Sequence, residues 1–391
     1  MSGFFSRRSL FQLAGAAAGS MLGSRYVWAS RQQQQPRIQT GRPMMGDTGR
    51  QPRGHPDPFP AAATRATVSL VHGDDRRKNV YEALMAIDEQ IKAKLKSKKY
   101  VVIKPNNVST NNQLASSHAD ALRGILDYLA PRFKGPVVIA ESSNGNTLTG
   151  FDNFKYPALT KEYRKVSLVD LNEEGKYVLL PLIDFDIHVA PVRLAARLVD
   201  PDAFVFCAAC MKTHNMAVVT LSIKNMVLGA PLHQAPKETR RWNDKRRYHV
   251  GIRQSIYNMF LTAQRLQPHW GATVIDGYEG MEGNGPNAGI AVPSRVAIAS
   301  TDFVAADRIG AEVMGVDPEW LGWLKYCGEV GIGQWDLSKI DLRGAQIAAV
   351  QKKYRLHSDV DLMLQWRGPM EELPLNLGWV TPIGDHYLVD A

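Results

Sequence analysis

The sequence predicts an α/β protein: a mainly parallel, doubly wound sheet flanked by helices, arranged in one or two lobes. Three observations carry this prediction. Short apolar, β-branched runs at 67–71, 100–103 and 136–140 alternate with helix-periodic stretches, the order of right-handed βαβ units. A further run, Ala203 to Phe206, is apolar throughout, as strands buried on both faces are. Polar residues crowd where these runs end, and the carboxyl ends of parallel strands open into the crevice where α/β proteins bind ligands.

The first 29 residues read as an export address. Ser6-Arg7-Arg8-Ser9-Leu10 begins a twin-arginine pattern, an apolar run follows from Leu10 to Gly23, and Val27-Trp28-Ala29 sets small residues at a cleavage site. The run falls short of the ~18–20 strongly apolar residues of a membrane span, so cleavage and a periplasmic or secreted product are expected, with no stable span afterwards. The partner this implies is the twin-arginine export machinery. Residues 30–66, rich in Gln, Pro, Gly and Arg without hydrophobic period, read as a disordered linker.

A folded domain is expected over 67–350. Thr67 to Val71 is its first strand. Val80, Leu84, Ile87, Ile91 and Leu95 recur at three- and four-residue spacing, which predicts one long helix. Tyr100 to Ile103 is a strand, Ser116-Ser117-His118 caps a helix to Leu129, and Pro136 to Ala140 is the third strand. Val166–Leu171 and Val178–Leu182 read as strands whose place in a sheet is not legible. A helix spans about Ile252 to Leu266, and strands cover Ala272–Ile275 and Arg295–Ala299. Thr301 or Asp302 caps the helix through Met314. Residues 351–391 read as a peripheral extension.

Of the formal charge of +9, residues 1–66 carry +7, so the folded part is nearly neutral and no nucleic-acid partner is expected. The predicted strand ends instead suggest a local cleft for a small anionic molecule, a carboxylate or phosphate. Lys104 and Asn106 follow one strand, Glu141 and Ser142 the next, and Asp276 precedes Gly277 and Glu279. Lys212 and His214 are expected just past the strand at 203–206, followed by Lys224 and Asn225. Lys104, Lys224 and Lys212 are cations for an anion, and Asn106, Ser142 and Asn225 offer neutral hydrogen bonds. His214 is the candidate general acid or base, with Glu141 or Asp276 orienting it or binding a metal. The competing reading places these lysines at the surface or in ion pairs with Asp302 and Asp307.

Other chemistries have less support. The glycine-rich stretch 277–286 follows a strand but lacks both the P-loop and the dinucleotide-binding spacing, and reads equally as a loop whose amides receive a carboxylate or phosphate and as a plain flexible loop. No G-x-S-x-G elbow presents a serine. His118, His214, Glu141, Glu279, Asp276, Asp302 and Asp307 are compatible with a metal ion assembled from separate strands, but no local ligand spacing indicates one. Cys207-Ala208-Ala209-Cys210 sits in an apolar strand, where packing is the expected role and redox chemistry the alternative. His233 and His249, at the ends of a basic segment, are expected at the surface.

Five blocks in this order resemble domain of unknown function family 362: VVIKPNN (101–107), VVIAESS (137–143), CMKTHNMAVVTLSIKNMVLGAP (210–231), VIDGYEGMEGNGPNAG (274–289) and ASTDFVAADRIGAEVMG (299–315). The Lys-Thr-His…Lys-Asn…Gly combination is the most specific of them. Many relatives resemble iron–sulfur proteins through a ferredoxin-type cysteine module. With Cys207, Cys210 and Cys327 alone, this sequence lacks that module, and no iron–sulfur cluster is expected. The cofactor is otherwise open. Two functions fit: an exported enzyme acting on a small anion, or a periplasmic binding or accessory protein that captures it without turnover.

Overall fold

The computed structural model describes residues 64–184, 186–249 and 251–367. The signal segment 1–29, all but the last three residues of the 30–66 linker, and residues 368–391 of the C-terminal extension lie outside them. The strands are β1 (Ala66–His72), β2 (Tyr100–Lys104), β3 (Val137–Glu141), β4 (Val166–Asp170), β5 (Tyr177–Ile183), β6 (Val189–Ala195), β7 (Ala203–His214), β8 (Val218–Thr220), β9 (Trp270–Asn284), β10 (Ala288–Val292), β11 (Val296–Ser300) and β12 (Ile340–Gly344). The helices used below are α1 (Arg76–Met85), α2 (Asp88–Leu95), α3 (Ala119–Leu129), α4 (Ser222–Gly229), α5 (Ile252–Leu266), α6 (Phe303–Val313) and α7 (Gly322–Glu329).

The main sheet runs β12–β1–β11–β9–β7–β2–β3–β4, with β8 and β10 attached as hairpin partners of β7 and β9. Of those eight strands, β11 alone runs against its neighbours, β1 and β9. The expected parallel, doubly wound α/β architecture is therefore present. One face packs against α1–α3, where Val80, Leu84, Ile91, Leu122 and Ile125 meet Val101, Ile103, Ile139, Phe204 and Phe206. The other packs against α4–α7, where Ile223, Met259, Ile309 and Leu324 meet Val102, Val138, Val205 and Ile275. Each fully buried Leu or Ile of this kind contributes about 1.5–3 kcal/mol of transfer free energy.

Several elements differ from expectation. The long helix over 80–95 is two helices, broken at Ile87 (φ −119°, ψ 21°). Ile87 stays buried across the break, so the apolar spacing survives it. Strand β7 does not stop at Phe206. It runs to His214, because β8 folds back on it and pairs Lys212 with Thr220 and His214 with Val218. The glycine-rich stretch is strand for most of its length: β9 continues to Asn284 because β10 pairs with it from Gly280 onward. Gly285 is required there, since a Cβ would stand 2.1 Å from the Thr213 carbonyl oxygen. Residues 177–195 form the separate hairpin β5–β6. After residue 350, Tyr354, Leu356, Met363 and Leu364 are buried in the core shared with α4–α7.

Strands β2, β3 and β4 follow one another to one side of the sheet, whereas β7 lies on the other side of β2 and leads on to β9 and β11. The order of winding reverses between β2 and β7. Crevices in open α/β sheets form outside the carboxyl ends of the strands at such a reversal.

Candidate functional site

Lys104, the last residue of β2, is fully buried at that reversal. Its Nζ donates to the Pro105 carbonyl at 2.9 Å, to Glu141 Oε2 at 3.0 Å and to Asn225 Oδ1 at 3.1 Å. Glu141, at the end of β3, also accepts from the Asn107 and Ser142 amides at 3.0 and 2.8 Å. A buried carboxylate with a counter-ion and two amide donors is well compensated for lost water. Asn225, on α4, accepts from Asn106 Nδ2 at 3.0 Å and donates to Cys207 Sγ at 3.2 Å. Three strands and one helix are thus pinned by a single polar knot. Gly229 ends α4 beside it, where a Cβ would lie 2.3 Å from Lys104 Nζ.

Three further lysines are buried around this knot. Lys212, five residues past the β7 partner of Lys104, donates to the Ala115 carbonyl, and burial pushes its pKa down to about 8. Lys245 enters from the basic segment 237–247 and donates to Ser142 Oγ at 2.8 Å and to the Leu228 and Gly229 carbonyls at 3.2 and 3.3 Å. Burial, aided by the Lys104 charge and opposed by Glu141, pushes it down to about 7. Lys224, the third residue of α4, is 4% exposed. Among the described residues its ammonium makes no hydrogen bond or ion pair. Burial first, then the charges of Lys212, Lys104 and Lys245, hold its pKa well below the usual lysine value.

His214 is buried beside Lys224. Its Nδ1 accepts from the Met216 and Ala217 amides at 3.1 and 3.2 Å. An Nδ1 that accepts twice carries no proton, so the neutral ring bears its hydrogen on Nε2. Burial, with the Lys224 charge next, lowers its pKa well below the ordinary histidine value and keeps the ring neutral. The expected role as a base meets an obstacle here: at neutral pH the free edge of the ring donates. Around the knot, Asn106 Oδ1, Asn107 Nδ2, Ser143 Oγ and Thr220 Oγ1 are buried polar atoms without a hydrogen-bond partner among the described residues.

The structure brings together Lys104, Asn106, Glu141, Ser142 and Asn225 in direct contact, with Lys212, Lys224 and His214 around them. Asp276 and Glu279 do not join. Asp276 lies inside the lengthened β9, where its carboxylate pairs with Arg76 Nε at 3.2 Å and accepts from the Tyr278 amide at 3.0 Å. Glu279, half exposed, faces the same arginine at 3.7 Å. Neither these nor Glu141 bonds His214, so among the described residues no carboxylate orients that ring. The lysines do not pair with Asp302 or Asp307. Asp302 caps α6 through the Val304 and Ala305 amides, and Asp307 caps α4 through the Ser222 and Ile223 amides.

Cys207 and Cys210 lie on opposite faces of β7, Cys207 Sγ towards Ser222 and Asn225 and Cys210 Sγ towards Ser117 Oγ. Facing apart, they cannot bridge to each other without backbone movement. Among the described residues no group of three or more His, Cys, Asp or Glu side chains is placed to hold a metal ion. Of the two histidines expected at the surface, His249 is exposed and His233 is partly buried, its ring nitrogens facing the Ser143 and Gln234 carbonyls at 2.6 and 2.9 Å. Lys245 and Asn107 are members of the cluster that sequence reasoning missed. Lys245 sits in a run with Arg246 and Arg247, and nothing local marks which cation turns inward.

No helix among the described residues is long and apolar enough to cross a membrane. No curated protein matches the chain. A crystal structure of a protein from Thermotoga maritima, a structural genomics target, is similar with 11% identity and a TM-score of 0.36. The match covers 54% of this chain and 52% of that one, so the chain spans about half of that protein's length. The family described as Domain of unknown function (DUF362) matches residues 101–312, more than half of the chain and all the polar knot described above. The chain belongs to the DUF362 family.

Proposed function

We propose that this is an exported protein that takes a small anionic molecule, a carboxylate or phosphate, into the crevice between β2 and β7 and acts on it as an enzyme. One observation carries the reading: four buried lysines, Lys104, Lys212, Lys224 and Lys245, stand around Glu141, with Asp170 as a further carboxylate near Lys245. Burying a charge without a counter-ion costs several kcal/mol, and of the four only Lys104 has a carboxylate in contact among the described residues. An anion supplies the missing counter-charge. Lys104, Asn106, Glu141 and Asn225 form the rigid floor, Ser142 ties Lys245 to it, and Lys212, Lys224 and the Nε2–H of His214 are the groups that meet the ligand. A binding protein without turnover is the second reading. The locked tautomer of His214 favours it, because a ring that only donates holds a ligand better than it moves protons.

An anion that settles among lysines with lowered pKa values draws protons onto them. Calorimetry of phosphate and of oxalate with the full chain at pH 8, in two buffers of different ionisation enthalpy, is expected to show binding with proton uptake. Lys212→Met is expected to weaken it at least about tenfold, the loss of one charge-assisted contact. Absence of binding by either anion would overturn the reading. Once a turnover assay exists, His214→Asn separates the two functions: loss of rate with binding retained identifies an enzyme.

A further inference from the structure

An anion site explains three of the four lysines. Lys104, Lys212 and Lys245 each donate to protein acceptors, so their ammonium groups are held in place. Lys224 is different: it is 4% exposed, makes no hydrogen bond or ion pair among the described residues, and feels three like charges against the one opposite charge of Glu141. A lysine meant to clamp an anion has to stay charged, and this surrounding drives it towards the free amine. The free amine is a poor clamp and a good nucleophile. Desolvation next to another cation is one of the standard ways by which lysine nucleophiles are activated.

We propose that Lys224 is a nucleophile that condenses with the carbonyl carbon of a small anionic aldehyde or ketone, forming an imine. The inference rests on the anion-site reading above and narrows it, from any anion to one bearing a carbonyl. The Nζ lone pair forms a C–N bond to the carbonyl carbon, and the carbonyl oxygen leaves as one water with the two amine hydrogens. No electrons are exchanged with a third partner. Lys212 flanks the carboxylate or phosphate of the substrate above the floor that Lys104 holds, and the Nε2–H of His214 is the donor suited to the carbonyl oxygen. His214 needs no change of protonation for this, which accords with an Nδ1 occupied by two backbone amides. Lys224 lies in the first turn of α4, whose amides are capped by Asp307, so its backbone is fixed at the crevice.

The test is reductive trapping on the full chain with glyoxylate, an anionic aldehyde, and cyanoborohydride, read by peptide mass mapping, with phosphate calorimetry on the same preparation. The expected result is modification of Lys224 at least about tenfold faster than of surface lysines, the advantage of an oriented site. Excess phosphate is expected to suppress it, and the neutral aldehyde propanal to show no such preference. Lys224→Arg, which keeps a long cation, is expected to lose the fast adduct. Phosphate binding without selective trapping would overturn the nucleophile and leave the anion site standing. Absence of both would overturn both. A fast adduct that persists in Lys224→Arg would place the nucleophile elsewhere and refute the assignment.

Discussion

Single residues in this protein are legible by type and not by state. That Lys104, Lys212 and Lys224 matter is readable from ammonium groups set in apolar surroundings. Which lysine is paired, which is hydrogen-bonded and which is left over depends on atoms contributed by β3, α4 and the 237–247 segment. Their protonation leads to a measurable consequence. In the folded chain burial pushes Lys245 down to about 7 and Lys212 to about 8, and holds Lys224 well below the ordinary 10.5. Above about pH 7 the unfolded chain therefore binds more protons, and stability rises with pH. Each lysine that is neutral folded and charged unfolded adds about 1.4 kcal/mol per pH unit. Asp307, pushed up to about 7 by burial, works in the opposite sense, but only below that pH. The buried Cys207 and Cys327 thiols, whose pKa burial raises, oppose the rise above about pH 9. Urea unfolding at pH 7 and pH 8.5 is expected to show a clear gain at the higher pH, reduced in Lys245→Met. A flat or falling profile would contradict the buried-lysine account.

At the scale of elements, the strands at 67–71, 100–103 and 136–140 and the helices capped by His118 and Asp302 were all readable, because apolar period and capping chemistry are local. The lengths of β7 and β9 were not. Each is extended by a hairpin partner, β8 or β10, whose pairing is a tertiary event. That extension carries Lys212 and His214 within a strand and takes Asp276 away to Arg76. Helix α4 depends on another element as well: its N-terminal amides are capped from α6 by Asp307. Asp307→Ala leaves those two amides unsatisfied in the core and is expected to cost about 2 kcal/mol or more, measured by chemical denaturation. Because α4 carries Lys224 and Asn225, phosphate affinity is expected to fall with it. Full retention of affinity in the variant would show that α4 holds its position without the cap.

For the whole molecule, the sequence alone determined the α/β class, the family resemblance that the match over 101–312 establishes, and a proposal of export. Twin-arginine and cleavage motifs are read from the chain itself by other proteins and need no fold around them to be seen. Export leads to a direct expectation: Arg7→Lys with Arg8→Lys is predicted to retain the protein in the cytoplasm, whereas the wild type is recovered outside it beginning at Ser30. Cell fractionation with N-terminal sequencing distinguishes the two, and an uncleaved wild type in the cytoplasm would end the export proposal. Only the tertiary structure decided that β2 and β7 flank the reversal of winding, that Lys245 reaches the knot from a segment that looked solvated, and that Asp276 stays out of it. The physical reason is range. Helix period, strand composition and capping act over a few neighbouring residues, so they are written in the chain. The charge balance of a buried site is set by groups more than a hundred residues apart, whose proximity exists only once the sheet has closed around them.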